Sequence, residues 1–549
     1  MSEQAGETDA DHVLRIALTH PECRGGAVLD AVGDRQLLSL DMNVEMPLHM
    51  SVDGISSTGV RTTEPVLVKL AKDHPWSSPT FYLRDDFPRH FPHLQPAAKT
   101  ALPRPCLVDG SQDEFYLQFG LVEAGIFNLV DQLAIWLRKA AISDLIDERQ
   151  GWEPVLRHDC KHVIEFDAGI ARRAVKREGG WQAWKAEYTR RGADDASVDE
   201  GIELLWISSS GERTPLRNKV GDECFAPQGK HDDVRAGNTV VGLLWPDKLP
   251  SGKPFVSATY LPEDVTNLGE LRTRAHELGC GRSFDAFIGS LERRFDGIVR
   301  GDPVPIGVVL CARRPIHLIG SSSDIEVLPY ALEVRAGKAR SSLFPLGDAE
   351  PVSPALHYQS LSADLLRTVS DAPARPAIAM LGCGSVGSKM ALHAARSGQE
   401  IATLADQSWL RPHNLARHAL LAGHIPGYKA EALADEIEKF GARPSVYKED
   451  LTAALAGDDL AQVIPKGAEA AINTTASLAV REALVAAQGR TRARLLEAGL
   501  FGRGRGAYLL TDGTGHNPCH SDLMAELYAI NDDDEMRDLM FDPNWGLTE

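Results

Sequence analysis

A glycine-rich turn at residues 382–387 is the clearest chemical signal in the sequence. Gly382, Gly384 and Gly387 form a G-x-G-x-x-G pattern between an apolar run and a helical run. Glycines spaced in this way let backbone N–H groups approach a phosphate at a helix N-terminus. Asp406 follows the next apolar run, where a carboxylate can bind ribose hydroxyls. These residues alone predict a nucleotide site and fit NAD, FAD or ATP.

The residues after Asp406 favour ATP over a dinucleotide. Asn414 and Arg417 lie within one short segment, and Lys429 opens the next helical run. Cations are needed beside the phosphates when a carboxylate attacks the α-phosphate and pyrophosphate departs, whereas a dehydrogenase has no such need. The pattern therefore predicts an adenylating enzyme in which Arg417 acts on the reacting phosphates.

The motif D-x-S-x(5)-N-L-x-R-H followed by G-x-K, within Pro376–Gly506, resembles the ubiquitin-activating ThiF/MoeB/HesA adenylation family. The resemblance implies an E1-like fold that binds ATP with Mg²⁺ and adenylates the C-terminal glycine of a small ubiquitin-like protein. It also implies that the glycines hold the nucleotide and that Asp406 binds ribose. By the same resemblance, the ATP phosphates would be contacted by Asn414, Arg417 and Lys429.

Two family features differ in this sequence. The family usually carries a magnesium-binding Asp in a D-x-T-D-N run, but the matching residues Asn473–Ser477 read N-T-T-A-S, so no metal ligand is predicted. A family-type arginine finger is not evident either. Arg367 is one candidate, and a dimer partner could supply another.

Two cysteines are predicted to carry an acyl group as a thioester, because thiolates are good nucleophiles near neutral pH. Cys519 lies in H-N-P-C-H after the glycine-rich segment Gly499–Gly506, and its neighbours His516 and His520 are expected to lower the pKa of its thiol. Cys383 lies inside the glycine turn, where a small side chain is needed, and is predicted not to be catalytic.

Cys106 lies in P-R-P-C-L-V-D-G, after the proline-rich stretch Phe87–Pro105 and before a helical run. With the strand-like segments upstream, this arrangement resembles the ubiquitin-conjugating (E2-like, UBC) fold over roughly residues 10–150. The resemblance implies that Cys106 is a nucleophile. The usual H-P-N triplet, whose Asn supports the oxyanion, is missing, and His93 and His90 are its loose substitutes.

Three regions of the 549-residue chain would position these groups. Residues 1–150 alternate like strands and end in an amphipathic helix, residues 151–370 mix strand-like and charged helical runs, and residues 371–549 alternate strand and helix as nucleotide-binding domains do. Residues Glu212–Asn238 have the composition of a loop. Strands are predicted at Gln36–Pro47, Glu64–Lys72, Gly201–Ser208, Val240–Trp245, Pro305–Cys311, Ala377–Leu381 and Ile401–Leu404, and helices at Ile126–Leu137, Ala171–Arg191, Leu268–Val299, Ser385–Ser397, Lys429–Phe440 and Leu478–Ala487.

Composition limits the class of protein. A net charge of −19 means that bulk charge will not drive nucleic-acid binding. No apolar run approaches the roughly 18 residues of a membrane span. The eight cysteines contain no C-x-x-C pair, so a structural zinc site is not expected. Scattered single cysteines suggest a reducing, cytoplasmic environment.

The order of the three regions resembles bacterial conjugating–activating fusion proteins, the best known of which accompany CBASS antiviral operons. The fold class expected is multidomain α/β and α+β. It comprises a UBC-like α+β domain (1–150), a linker and inactive-adenylation-like region (151–370) and a Rossmann-like adenylation domain with a late cysteine (371–549). The resemblance implies a homodimer whose partner ends in glycine, either a cGAS/DncV-like nucleotidyltransferase or a ubiquitin-like protein.

The resulting hypothesis has three steps. ATP activates the partner's C-terminal glycine, Cys519 takes the acyl group, and Cys106 accepts it and delivers it to an amine, expected to be a lysine of a target protein. Three alternatives stay open: a dinucleotide-dependent oxidoreductase, a non-catalytic scaffold with decayed sites, and sulfur-carrier activation, which leaves the N-terminal half unexplained.

Overall fold

The computed structural model divides the chain into two compact units, Met1–Tyr358 and Gln359–Glu549. Each unit is described by itself. The described residues are 8–32, 35–48, 51–52, 54–95, 101–120, 122–157, 160–191, 201–206, 227–231, 234–300, 303–334, 341–441, 443–529 and 534–542.

The first part of the N-terminal unit is a four-stranded antiparallel sheet covered by a long helix. Its elements are α1 (Asp9–Ala17), β1 (Cys23–Val32), β2 (Arg35–Asn43), β3 (Ser51–Val52), β4 (Ile55–Ser56), β5 (Thr63–Lys69), β6 (Thr80–Leu83), β7 (Leu94–Gln95), β8 (Arg104–Pro105), α2 (Gln112–Leu117) and α3 (Val122–Ala141). The sheet order is β1-β2-β5-β6. In β5, Val66 and Val68 are buried and their neighbours are more exposed, which is the alternation expected of a sheet with one face on the core.

The predicted amphipathic helix is confirmed by α3. Every apolar residue of the predicted stripe, from Ile126 to Leu137, is buried in one cluster with the sheet residues. Arg138 and Lys139 lie in its last turn, where positive charge favours a helix end. Within the described residues, no helix combines the length and apolarity needed to cross a membrane.

The rest of the N-terminal unit is built on an eight-stranded sheet. Its elements are β9 (His162–Phe166), α4 (Ala168–Ala174), β10 (Gly180–Arg191), β11 (Gly201–Trp206), β12 (Pro227–His231), β13 (Val234–Trp245), α5 (Leu268–Glu277), α6 (Gly281–Arg294), β14 (Val299–Arg300), β15 (Val304–Arg313), β16 (Ile325–Val334), β17 (Ser341–Ser342) and β18 (Val352–Gln359). The order is β10-β11-β9-β18-β16-β15-β13-β12, and β10 also pairs with β13, so the pairing closes into a ring. This arrangement differs from an open nucleotide-binding sheet. The inactive-adenylation-like reading of residues 151–370 remains a prediction.

Two expectations for this part are wrong. The predicted helix Ala171–Arg191 is a short helix followed by strand β10, because Ala186, Tyr188 and Arg190 are buried while Lys185 and Glu187 are more exposed. That alternation has the strand period of two. The predicted loop Glu212–Asn238 contains β12 and the start of β13, and its remaining residues, Cys224 among them, lie outside the described ranges. The predicted helical run Leu268–Val299 is two helices, α5 and α6, and Val299 lies in β14. The strands predicted at Val240–Trp245 and Pro305–Cys311 are confirmed, as is the described portion of Gly201–Ser208.

The C-terminal unit has a six-stranded sheet that alternates with helices. Its elements are α7 (Ala363–Val369), β19 (Ile378–Leu381), α8 (Ser385–Arg396), β20 (Ile401–Ala405), β21 (Trp409–Leu410), β22 (Gly427–Tyr428), α9 (Lys429–Glu438), β23 (Ser445–Tyr447), α10 (Leu451–Ala456), α11 (Leu460–Val463), β24 (Ala470–Asn473), α12 (Leu478–Ala487), β25 (Arg494–Phe501), β26 (Gly506–Thr511), α13 (His520–Ala529) and α14 (Asp534–Met540). The order is β23-β20-β19-β24-β25-β26, and all pairs are parallel except β25–β26. The elements predicted for this region are confirmed to within a few residues.

A buried ion pair fixes the segment that follows α3 in the N-terminal unit. Arg314 and Glu326 are almost fully buried, and Arg314 Nε lies 2.6 Å from Glu326 Oε2. The second Glu326 oxygen accepts a hydrogen bond from the backbone N–H of Val155 at 2.6 Å. The Arg314 guanidinium also stacks over the Trp152 ring, 5.0 Å from its centroid.

We predict that Arg314→Met lowers the free energy of unfolding of this part by about 3–5 kcal/mol, because it removes the ion-pair partner of the buried Glu326 carboxylate. Hydrogen exchange of the β15–β16 amides measures the change. Arg313→Met is the matched control, because Arg313 pairs with the more exposed Asp324 and its loss should cost under about 1 kcal/mol. Equal losses in the two variants would contradict the assignment.

Candidate functional site

The glycine turn lies where the strand order of the C-terminal sheet changes direction. β19 is flanked by β20 on one side and by β24 on the other, and ligands bind open α/β sheets at such switch points. Gly382 leaves β19 with φ +90°, and a Cβ there would lie 2.8 Å from the Thr475 backbone nitrogen. A Cβ at Gly387 would collide with the Gly382 carbonyl and the Thr474 hydroxyl. Both positions therefore require glycine.

Gly384 has a different function in the turn. A Cβ there would meet no described atom within 4 Å. Helix α8 begins at the next residue, Ser385, without a side-chain cap from any described residue. The N–H groups of its first turn are thus available to an anion, and the helix dipole favours one at this end.

Asp406 braces the turn from the end of β20. Its Oδ2 accepts a hydrogen bond from the Cys383 N–H at 2.8 Å, and its Oδ1 accepts one from the Ser408 N–H at 2.7 Å. Cys383 itself is fully buried, and burial raises the pKa of its thiol well above the usual value. This agrees with the packing role predicted for it.

A cavity of about 410 Å³ opens beside the turn. Lys429, the first residue of α9, contributes to its wall, and the Lys429 backbone N–H donates to the Ser408 carbonyl at 3.0 Å. Four of the predicted nucleotide residues meet in this cavity. Its lining comprises Gly382, Gly384, Asp406, Gln407, Ser408, Lys429, Asp450, Leu451, Thr452, Thr474, Thr475, Ser477 and Val480.

Asn414 and Arg417 are not among the described residues that line the cavity. Asn414 Oδ1 accepts a hydrogen bond from the Arg411 N–H at 2.9 Å, and the Arg417 side chain is exposed. The Arg417 carbonyl accepts a hydrogen bond from the Ser385 hydroxyl at 3.2 Å, so its backbone contacts the start of α8. Arg367 pairs with Asp364 on its own helix.

His418 is the last residue of the N-L-x-R-H motif, and no function was predicted for it. It is buried, and burial lowers its pKa, so its neutral form is favoured. Its Nε2 lies 2.7 Å from the Cys383 carbonyl oxygen, and its Nδ1 accepts from the Leu420 N–H at 3.1 Å. With the proton on Nε2, His418 ties the segment that carries Arg417 to the glycine turn. Its position next to Arg417 in the motif was the available signal.

The Asn473–Ser477 turn forms the opposite wall. The Thr474 hydroxyl donates to the Gly382 carbonyl at 2.7 Å, and the Thr475 hydroxyl donates to Asn473 Oδ1 at 2.7 Å. Ala476, which occupies the place of the family's magnesium-binding Asp, has φ +55°. Among the described residues there is no cluster of three or more side chains suited to a metal ion.

A buried polar network that was not predicted from the sequence underlies this turn. Asn473 Nδ2 donates to Glu497 Oε2 at 3.1 Å, and Arg481 Nη2 lies 2.6 Å from Glu497 Oε1. The Tyr508 hydroxyl donates to Glu497 Oε1 at 3.0 Å, and burial, followed by the charge of Glu497, raises the pKa of Tyr508 to about 12. These contacts hold β24, β25, β26 and α12 together behind the cavity.

Cys519 lies immediately before α13 and is partly exposed. The expected histidine neighbours are directed elsewhere: His516 pairs with Asp512, and buried His520 has Nε2 3.0 Å from the Leu495 carbonyl. Both rings bind acceptors other than the Cys519 thiol, and their effect on that thiol stays a prediction. The group at the thiol is Asp522, whose pKa is lowered by hydrogen bonds from the Cys519 thiol and N–H.

Cys106 lies beside the β7–β8 hairpin of the N-terminal unit. Leu94 pairs with Pro105, and the Cys106 N–H donates to the His93 carbonyl at 2.7 Å, which extends the register by one pair. The thiol is half-buried, and burial, followed by the charge of Glu153, raises its pKa.

A second cavity, also about 410 Å³, opens at Cys106. The structure distinguishes the two histidine candidates, because His93 lines this cavity whereas the His90 ring stacks on Phe91 at 4.8 Å. The lining comprises His93, Cys106, Leu107, Val108, Asp109, Phe115, Gln132, Ile135, Trp136, Lys139, Leu145, Asp147 and Gln150.

Comparison with solved structures finds proteins similar to parts of the chain. They include Escherichia coli tRNA N6-threonylcarbamoyladenosine dehydratase, TcdA, in complex with AMP (27% identity, 24% of this chain and 52% of that chain, TM-score 0.21). TcdA in complex with ATP gives the same values. E. coli MccB with succinimide is 20% identical over 26% of this chain and 40% of that chain, with a TM-score of 0.20. The chain spans about half the length of the TcdA chains, and no curated protein matches it.

Two family models match separate parts of the chain. Residues 27–174 match Prokaryotic E2 family A, and residues 371–539 match the ThiF family. The first range contains Cys106 and its cavity, and the second contains the glycine turn, its cavity and Cys519. The polypeptide thus joins an E2-like region of Prokaryotic E2 family A to a Rossmann-like region of the ThiF family, and it is a bacterial E2–E1 fusion.

Proposed function

We propose that the chain uses ATP to activate the C-terminal carboxylate of a partner protein and passes the acyl group through two cysteines to an amine. The observation that carries this proposal is the cavity in which the glycine turn, Asp406 and Lys429 meet, within a chain that also has Cys106 in an E2-like cavity. An ATP-binding site alone would leave the second cavity without a use, whereas activation followed by conjugation uses both.

The residues present fit ATP. Gly384 leaves the first turn of α8 open to the phosphates, and Asp406 and Lys429 border the same space. The Lys429 ammonium would balance charge on the phosphates as pyrophosphate departs. Movement of the exposed Arg417 side chain would bring a second positive charge beside the ATP phosphates. The backbone N–H groups of the turn are already in place, so they would bind the ATP phosphates without the cost of reorganising.

The residues also fit Mg²⁺, with a different ligand from the one the family uses. Mg²⁺ usually keeps several waters and takes one or two carboxylates together with substrate phosphates. Asp450 is the exposed carboxylate of the cavity wall, and its Oδ1 also caps α10 by accepting the Thr452 N–H at 2.8 Å. Asp450 would hold the ion that neutralises the phosphates, since Ala476 offers no ligand.

The two cysteines would then carry the acyl group. The Cys519 sulfur attacks the activated carbonyl carbon and AMP leaves, so a thioester keeps most of the activation energy. The Cys106 sulfur attacks that thioester and Cys519 leaves, an exchange with little change in free energy. A lysine amine attacks next and releases Cys106. ATP cleavage thus drives the sequence, and geometry sets its rate.

The partner we propose is a cGAS/DncV-like nucleotidyltransferase ending in glycine, whose conjugation primes it in CBASS antiviral defence. The chain would act as a homodimer, as the resemblance to conjugating–activating fusions implies. The alternative partner is a ubiquitin-like protein from a different bacterial operon. The two are distinguished by supplying each protein, with and without its last glycine, and following thioester formation.

We predict that Lys429→Met weakens ATP binding about tenfold or more, because it removes a charged partner of the phosphates. Equilibrium dialysis with labelled ATP measures this. Lys448→Met is the matched control: Lys448 pairs with Glu431 and lies over the Tyr428 ring, but it does not line the cavity. Unchanged ATP affinity in Lys429→Met would refute the assignment. Absence of ATP binding in the wild type would favour the scaffold, or the oxidoreductase if NAD bound instead.

We expect Asp450→Asn to raise severalfold the Mg²⁺ concentration needed for half-maximal ATP binding, because an amide is a poorer ligand for a hard cation. Asn caps helices about as well as Asp does, so the melting temperature should stay within 2 °C or so of the wild-type value. Asp459→Asn, at the start of α11 and outside the cavity lining, controls for charge. An unaltered Mg²⁺ requirement would exclude Asp450 as the ligand.

We predict that Cys519→Ala abolishes every thioester formed with the partner, whereas Cys106→Ala keeps the Cys519 thioester and loses the final conjugate. Non-reducing gels after incubation with ATP and partner distinguish these species. Cys160→Ala, another partly buried cysteine of the chain, should behave like the wild type. If Cys519→Ala and Cys106→Ala each still gave every thioester band, the relay would be wrong.

A further inference from the structure

The carboxylate of Glu153, which lies outside the β7–β8 hairpin, accepts a hydrogen bond from the backbone N–H of His93, the residue whose carbonyl binds the Cys106 N–H. Glu153 lies in the segment that follows α3, and its side chain is only 12% exposed. The segment is fixed on both sides, because Trp152 forms a β-bridge with Leu318 and the Val155 N–H donates to buried Glu326. Glu153 is therefore held in place by the region that follows the E2-like core.

The Glu153 carboxylate makes two contacts with His93. One oxygen, Oε2, accepts the His93 backbone N–H at 2.5 Å and lies 3.3 Å from His93 Nδ1. His93 has φ +55°, a conformation that few non-glycine residues adopt without support from their surroundings. The carboxylate thus stabilises an unusual backbone conformation and faces one ring nitrogen of the same residue.

His93 lies directly across the hairpin from Cys106. The Cys106 N–H donates to the His93 carbonyl at 2.7 Å, and the side chains of both residues line the same cavity. A carboxylate at Nδ1 favours the tautomer with the proton there, which leaves Nε2 as a proton acceptor. The three groups have the order of a nucleophile, a base and the residue that orients the base.

We propose that Glu153 is a positioning residue that fixes the tautomer and orientation of His93, so that His93 takes the proton of the amine attacking the Cys106 thioester. The inference rests on the proposed function, since it needs an acyl group on Cys106. The amine nitrogen forms a bond to the carbonyl carbon, the carbon–sulfur bond breaks, and Cys106 leaves as thiolate. The amine proton moves to His93 Nε2 and then to the thiolate, which restores both groups.

The charge of Glu153 has opposite effects on the two steps at Cys106. Burial first, and then the charges of Glu153 and Asp109, raise the pKa of the Cys106 thiol. Removing the Glu153 charge should therefore increase the fraction of Cys106 that is thiolate and speed its reaction with an external reagent. The same change should slow discharge, because His93 loses the carboxylate that orients it. The variant Glu153→Asp, which keeps the carboxylate, separates loss of the charge from a structural defect at this site. The other charged or titratable groups around the site are Asp109, Lys139 and Asp147 in the cavity wall and Tyr260 and Glu326 near Glu153.

The test uses the full chain with Cys519→Ala and bypasses ATP. Cys106 is loaded chemically with the mercaptoethanesulfonate thioester of glycylglycine, and its discharge to free L-lysine is followed by mass spectrometry of the Cys106 peptide. We expect Glu153→Gln to slow discharge about tenfold or more, which is the order of loss seen when the carboxylate that orients a functional histidine in a metal site is removed. We also expect it to speed alkylation of Cys106 by iodoacetamide at pH 8.

Glu153→Asp should recover part of the discharge rate. Glu148→Gln, which removes an exposed charge outside the lining of the Cys106 cavity, should leave discharge within about twofold of the parent.

Burial also raises the pKa of Glu153. The discharge rates of the parent and Glu153→Gln should therefore converge as pH falls and Glu153 becomes protonated. Equal discharge rates in these two proteins at pH 8, or slower discharge together with slower alkylation in Glu153→Gln, would overturn the inference and leave the proposed function standing. Failure of the parent to accept the probe on Cys106, or to pass it to lysine, would overturn both.

Discussion

Close approach of backbone to backbone is the constraint on which the C-terminal unit depends. At Gly382 and Gly387 the chain passes so near the Asn473–Ser477 turn and its own carbonyls that a side chain cannot fit. The strands that carry these segments, β19 and β24, are neighbours in a parallel sheet, so their carboxyl ends meet at one edge. The proposed phosphate recognition depends on this packing, since the packing leaves the start of α8 uncapped by the described side chains.

Side chains around the turn chiefly fix its shape. Asp406 accepts two backbone N–H groups, His418 binds the carbonyl of the turn, and Thr474 binds the carbonyl of Gly382. Each contact satisfies a backbone group that would otherwise be buried without a partner, and such groups are costly. Their removal would loosen the turn, so these side chains have a structural function in addition to any contact with a ligand.

The sequence predicted the parts of the site that depend on local pattern. A G-x-G-x-x-G between a strand and a helix specifies its own geometry. Its binding of a nucleotide stays a prediction, but the positions of the turn, Asp406 and the start of α9 in the fold were predicted correctly. The surroundings of Cys519 were not, because adjacency in sequence does not determine direction: His516 and His520 turn toward buried acceptors, while Asp522, three residues on, reaches the thiol. Glu153 and the Glu497 network depend on contacts between distant segments, which a single sequence does not encode visibly. The misassigned β10 shows the same limit, since its charged residues concealed a period of two.

The chain combines a proposed phosphate site with two partly buried thiols in different settings, Cys519 at a helix start and Cys106 in an E2-like cavity. The central claim is that the phosphate site activates a protein's terminal carboxylate. The most direct measurement is exchange of labelled pyrophosphate into ATP, with a candidate partner that ends in glycine and with the same partner lacking that residue. The account predicts exchange only with the intact partner, whereas ATP that stays unlabelled with every such partner would contradict it.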